Sequence, residues 1–251
     1  MQFLITVILI VFGLICFPYN AQAEDKAGCL ATDKACLMQE LKGIAPQIDN
    51  KSWRDKSYRE LAKSYTYEGM EDKAIELIAI IETPDTKAMT IRGIGFAAAD
   101  NKWPDRERYN KLFKTLTVEA NKIEHPPSKA IAYTYIAMAQ AFAKDDDGAM
   151  RTARSMENEA LRHKAFAESA EIQAERGDFD AAMESIQQIS SVAFSNKAYG
   201  IISNIFLKKE MLQEAYNSAN KITNSYKKAQ ALQNIINFGN EEESLMGAKS
   251  K

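Results

Sequence analysis

Few residues in this chain have both the type and the spacing that chemistry requires. The nearest approach is TIRGIGFAAADN, residues 90–101, where Gly93, Gly95 and Ala97-Ala98 nearly spell the G-x-G-x-x-G/A fingerprint of dinucleotide-binding folds. That chemistry needs a strand feeding the glycine turn and a helix opening at it, so that a pyrophosphate meets the helix N-terminus. Here a helix is expected to begin earlier, at about Pro84-Asp85, which puts both glycines inside it. The acidic residue needed about 20 positions on is supplied only by a charged helix around Glu119. A second candidate, KDDDG at Lys144–Gly148, resembles the start of a calcium loop, but the ligands should alternate and end in a Glu at the twelfth place, where Met156 stands. A helix-capping turn is the better expectation. The two histidines, His125 and His163, have no carboxylate or nucleophile at a triad or metal spacing, and both read as exposed residues at helix ends. Carboxylate pairs abound, as on any charged helix, and nothing singles out two of them as acid and base. No catalytic residue, metal ligand or cofactor site is assigned, and the chain does not read as an enzyme.

Cysteine chemistry depends on the compartment, which the first residues indicate. MQFLITVILIVFGLICFPYNAQA is uncharged, apolar from Phe3 to Phe17, broken at Pro18 and closed by Ala21-Gln22-Ala23, the pattern of a secretory signal peptide cleaved after Ala23. The apolar run falls short of the roughly 20 residues a spanning helix needs. Residues 1–23 are therefore expected to direct export, leaving a periplasmic or secreted product without stable membrane insertion. Cys16 follows Ile15, and Cys29 lies beyond the charged Glu24-Asp25-Lys26, so neither has the setting of a lipid anchor. Cys29 and Cys36, in GCLATDKAC, are then an even pair in an oxidising compartment, expected to form a disulfide within an N-terminal segment, 24–50. With 32 basic and 34 acidic residues, the formal charge of -2 offers no electrostatic footprint for nucleic acid and no polybasic patch for a membrane.

The elements that must position any site follow from self-comparison at a fixed period. Tyr58, Leu61 and Ala62 recur 33 residues on as Ile91, Ile94 and Gly95, then after 42 as Tyr133, Ile136 and Ala137. Steps of 33 lead on to Phe166, Ser169 and Ala170, to Tyr199, Ile202 and Ser203, and to Leu232, Ile235 and Ile236. Spacings of three and four place each set on one helical face, and the small residue in each lets a neighbouring helix approach. A second helix follows each first one, with Ala74, Ala149, Ala182 and Ala215 aligned, and then Ile81, Met156, Ile189 and Ile222. Between the two, Gly69 and Gly177 suit a left-handed helix stop. The extra length of the second unit predicts a longer second helix between Pro104 and Pro126-Pro127, and makes Trp103, Arg106, Arg108 and Tyr109 candidates for a functional face.

These residues resemble the tetratricopeptide (TPR) family. Tyr58, Leu61, Ala62, Tyr65, Gly69, Ala74, Ile78 and Ile81 fall on its consensus spacing, and Gly177-Asp178-Phe179-Asp180-Ala181-Ala182 is similar to its G-D-Y-x-E-A turn. The resemblance covers about 51–239. It implies a superhelix whose first helices line a concave groove for peptides or protein segments. Carried onto this chain, the groove would include Lys56, Arg59, Lys63, Met89, Arg92, Phe96, Thr134, Met138, Lys164, Glu171, Asn204 and Leu207, basic at one end and apolar in the middle.

One polar column stands out beside these. Arg54, Lys87, Lys129, Arg162 and Lys228 open first helices, where a cation opposes the helix dipole, and Glu82, Glu124 and Glu157 precede three of them by five residues. Glu-to-Lys/Arg bridges across the inter-repeat turns are expected, with a basic ligand ladder as the alternative. The whole reading is an all-α solenoid of about five helix-turn-helix repeats with a closing helix and a disordered tail, 240–251. It is expected to bind a protein or peptide, to need no cofactor, and to be compatible with homo-oligomerisation. A helical periplasmic enzyme acting on glycan or peptide, and a structural subunit of an envelope complex, are the alternatives.

Overall fold

The computed structural model describes residues 28–239; the expected signal peptide, 1–23, and the expected tail, 240–251, lie outside the described residues. The described chain is all-helical: α1 (Lys34–Ile44), a short 3-10 turn (Ala45–Gln47), α2 (Lys51–Tyr67), α3 (Glu71–Ile80), α4 (Pro84–Asp100), α5 (Arg106–Asn121), α6 (Pro126–Phe142), α7 (Asp146–Arg154), α8 (Glu159–Glu175), α9 (Phe179–Gln187), α10 (Val192–Lys208), α11 (Leu212–Asn220) and α12 (Ser225–Ile236). No helix among them is long and apolar enough to cross a membrane. Cys29 and Cys36 are joined as a disulfide that ties the chain to the first turn of α1.

Local signals set the helix ends. Asn50, Asn158 and Asn224 each accept a hydrogen bond from the backbone N–H three residues on, Trp53, Leu161 and Lys227, satisfying one of the orphan donors at a helix start. Pro84 and Pro126 take first-turn positions, where a missing N–H is harmless, so Pro126 opens α6 rather than merely ending α5. The turns after α2, α4, α6, α8 and α10 each contain one left-handed residue: Gly69, Lys102, Lys144, Gly177 and Glu210, with φ between 50° and 84°. Four of these turns close alike, with the N–H of Met70, Asp145, Asp178 or Met211 donating to the carbonyl five residues earlier, as in a Schellman stop. After Lys102 the corresponding N–H, that of Trp103, donates instead to the Tyr109 hydroxyl at 2.8 Å. The added residues of this unit have diverted the turn and lengthened its second helix to 16 residues, against nine or ten for α3, α7, α9 and α11.

The five 17-residue helices α2, α4, α6, α8 and α10 pack in that order, each against the next and against the shorter helix that follows it. The stripe residues Ala74, Ala149, Ala182 and Ala215, with Ile81, Met156, Ile189 and Ile222, are all buried, as are Ala62, Ala137, Ala170 and Ser203. Gly95 holds the same place on α4: a Cβ built there would lie 2.8 Å from the Ala139 Cβ of α6, so the approach of α4 to α6 requires glycine. Gly93, two positions earlier, has ordinary room, with the Lys63 Cβ 3.7 Å from a built Cβ. At the far end, α12 buries only Ala231, and Ile236 at its terminus is 75% exposed rather than seated in a seam.

Polar latches join successive long helices. Asp55, fully buried at the fifth position of α2, accepts from the N–H of Glu82 at 3.3 Å, from the N–H of Thr83 at 2.8 Å and from the Thr83 hydroxyl, at the entry to α4. On α10, Asn196 accepts from the Thr223 N–H at 2.7 Å and donates to the Thr223 hydroxyl at 3.1 Å. His163 of α8 holds the same place against Ser190, with Nε2 2.8 Å from the hydroxyl. His163 is only 4% exposed and packs on the Phe194 ring, which corrects the expectation of an exposed helix-end histidine.

Candidate functional site

The exposed face of the long helices brings together most of the groove residues expected from the sequence. Arg59 and Lys63 of α2 and Met89, Arg92 and Phe96 of α4 line one depression of about 330 Å³. Arg92 and Phe96 also line its neighbour, about 440 Å³, which continues over Met138 and Phe142 of α6 to Ile172 of α8 and Ile205 of α10. The two share a wall and form one continuous surface. Its floor is aromatic at the centre: the Phe96 and Phe142 rings lie 5.7 Å apart, and the Arg92 guanidinium sits 5.1 Å from Phe96 and 5.5 Å from Tyr135. Such stacking holds the guanidinium plane while leaving its N–H donors outward.

Other expected residues fall elsewhere. Lys56 stands 4.4 Å over the exposed Trp53 ring and lines neither depression. Asn204 lies in a separate hollow of about 400 Å³ between α10 and α12, where its Oδ1 accepts from Asn234 at 3.1 Å. Thr134 and Leu207 are buried, and the Thr134 hydroxyl donates back to the Ala130 carbonyl, so both leave the groove. Leu207 belongs to a column, with Thr66, Ala99, Ala141 and Ala174, that is buried in every long helix.

The far wall of the central depression carries three glutamates of α8, with Lys144 and Arg176 beside them. Glu168, Glu171 and Glu175 stand at i, i+3 and i+7 on α8, hence on one helical face. Burial, and next the charges of Glu168 and, after the opposing Lys197, Glu175, hold the Glu171 carboxyl above the ordinary carboxylate range. Glu168 has Lys164 at 3.7 Å. Among the described residues, Glu171 and Glu175 have no cation at ion-pair distance, and neither do Lys63 and Arg92 have a carboxylate. Reading α8 for its own three-four spacing would have exposed this wall. Glu171 was expected on the groove from the family resemblance, whereas Glu168 and Glu175 were not.

The basic column at the helix starts does not form the expected bridges. Glu82 pairs with Arg54 at 2.7 Å and Lys51 at 3.0 Å, both on the preceding long helix, and not with Lys87. Hydrogen bonds from Lys51 and Arg54 hold its carboxyl below the usual range. Arg54 and Arg162 each donate to the carbonyl six residues earlier, Ile48 at 3.2 Å and Met156 at 2.8 Å, and so tie down the incoming turn. The added residues of the second unit are likewise engaged. Arg108 lies 3.9 Å over the Trp103 ring, pairs with Glu71 and reaches the Gly69 carbonyl, while Arg106 donates to the carbonyls of Ala143 and Lys144. Together they join the turns of the units on either side. Arg176 does the same between the Ala141 carbonyl, Asp146 and Asp178.

Among the described residues no three His, Cys, Asp or Glu side chains are grouped to hold a metal ion. Compared with family models, with curated proteins and with solved structures, the chain has no match.

Proposed function

We propose that this chain is an exported, TPR-like solenoid of five helical hairpins and a closing helix, acting as a non-catalytic adaptor that takes a peptide or protein segment along the exposed face of its long helices. The observation that carries this reading is the continuous surface from α2 to α8, where Lys63, Arg92, Glu171 and Glu175 lack an ion-pair partner among the described residues and the floor is aromatic and methionine. Flexible methionine beside aromatic rings suits an apolar side chain of a partner, and charged ends suit its orientation. The recurring left-handed residue and the regular order of long helices support the solenoid. The uncharged leader and the Cys29–Cys36 disulfide support export to an oxidising compartment, periplasmic or extracellular. A helical enzyme would have to draw on Glu168, Glu171 and Glu175. These stand one above another on a single helix face, whereas acid and base must flank a bond from opposite sides.

The test is site-specific photo-crosslinking in the exported fraction. A crosslinker at Phe96 should trap a discrete partner, and one at exposed Glu184 on α9 should not. Equal trapping at both positions, or none at Phe96, would sink the adaptor reading.

A further inference from the structure

The two ends of the exposed face differ in charge, and this limits what can lie there. Among the described residues Lys63 and Arg92 have no carboxylate at ion-pair distance and Glu171 and Glu175 no cation, with Lys197 and the neighbouring Lys144 and Arg176 offsetting the acidic end only in part. Lys63 and Arg92 mark the α2–α4 end, and Glu171 and Glu175 mark α8. Between them lie Phe96, Met138, Phe142 and Ile172. An apolar surface flanked by one sign of charge would accept any oppositely charged amphipath, but a surface with both signs selects for order as well as composition.

Packed helices lie roughly 8–10 Å apart, so the three steps from α2 to α8 span roughly 25–30 Å, or about eight residues of extended chain. Resting on the adaptor reading above, we propose that the occupant is an extended segment of a partner protein with acidic side chains at one end, one or two large apolar side chains in the middle and a Lys or Arg at the other. The acidic end lies against Lys63 and Arg92. Its apolar side chains fill the hollow beside Phe96 and Phe142, and its cation lies between Glu171 and Glu175. The crowding that raises the Glu171 carboxyl favours an incoming cation, because the cation relieves repulsion from Glu168 and Glu175.

The experiment uses the purified full chain and an end-blocked, labelled nine-residue peptide carrying aspartate and glutamate at one end, phenylalanine and leucine in the middle, and lysine and arginine at the other. Fluorescence anisotropy should show binding that weakens with added salt. A probe with the charges replaced by asparagine and glutamine should bind on the order of tenfold more weakly. Glu171→Lys should weaken the charged probe by a similar factor and be rescued by a probe whose basic end is made acidic. Arg92→Glu should be rescued by a probe whose acidic end is made basic, and Arg92→Gln serves if that variant melts early. Glu184→Lys, on the outer helix α9, should change nothing. Equal binding of charged and neutral probes, or no rescue by either reversed probe, overturns the charge assignment while the adaptor reading stands. Failure of every probe to bind, together with no trapping at Phe96, overturns both. A third result also counts against a partner segment: far tighter binding by a chain ending at residue 239. Residues 240–251, NEEESLMGAKSK, have the same acidic, apolar, basic order, and the occupant would then be the chain's own segment.

Discussion

The seam between α2 and α4 and the seam between α10 and α12 are built on the same position, 27 or 28 residues before its partner, yet they solve the problem with different chemistry. In both, a buried side chain at the fifth position of a long helix satisfies N–H groups at the entry to the next, donors that have no partner within their own helix. Asp55 does this as an acceptor only, for two N–H groups and a hydroxyl. Asn196 accepts one N–H and returns a donor to the same threonine. The position thus demands hydrogen-bonding capacity rather than a residue type. The α2–α4 seam concentrates more unsatisfied donors on a single side chain, and Arg54 and Glu82 brace it from outside.

Breaking the latch should separate the two seams most. Asp55→Leu leaves the part-buried Glu82 and Thr83 N–H groups and the Thr83 hydroxyl without their acceptor, and about 3 kcal/mol of stability should be lost in chemical denaturation. Asn196→Leu orphans one N–H and should lose about 1–2 kcal/mol. Equal losses would mean that the extra donors at Asp55 carry no energy. The two glycines of α4 should divide in sign. Gly95→Ala forces its Cβ against Ala139 and should destabilise by about 1–2 kcal/mol despite better helix propensity. Gly93→Ala meets only ordinary contact and should stabilise by up to about 1 kcal/mol, read as a higher midpoint.

Smaller effects sharpen the contrast between turns. Lys144 and Glu210 hold the left-handed place that Gly69 and Gly177 hold elsewhere, so Lys144→Gly and Glu210→Gly should each gain about 0.5 kcal/mol, whereas Gly177→Ala should lose about 1 kcal/mol. The smallest effect concerns pH. The Glu171 carboxyl keeps its proton to higher pH in the folded chain than in the unfolded one. Its contribution is therefore fully present below the unfolded value and is lost as pH rises through the folded one. Glu171→Gln should leave thermal stability unchanged in acid. Toward neutral pH it should raise stability by a few tenths of a kcal/mol, solvent screening reducing the rest. A gain at every pH would point to packing rather than charge.

Much of the all-helical architecture was legible because its signals are local. The Tyr58, Leu61, Ala62 spacing and its recurrences mark buried faces, and Pro84, Gly69 and Gly177 mark ends, each acting within about one helical turn. The stop at residues 102, 144 and 210 was not legible as glycine, since there the surrounding helices impose the left-handed conformation on Lys and Glu. The candidate surface was half legible. Arg59, Lys63, Met89, Arg92, Phe96 and Met138 meet on it, but Thr134 and Leu207 are buried, because spacing alone does not say which side of a helix its neighbours will cover.

Sequence by itself determined helix type and spacing, the cysteine pair and the near balance of charge, because periodicity and composition need no knowledge of neighbours. Only the tertiary structure decided that His163 is buried, that Glu82 pairs backward to Arg54 and that Arg108 is held by Trp103 and Glu71. It also decided that three glutamates of α8 face Arg92 across an aromatic floor. Most of these partners lie 27 residues or more apart along the chain, and no local preference specifies which of many charged side chains will be neighbours once the helices pack.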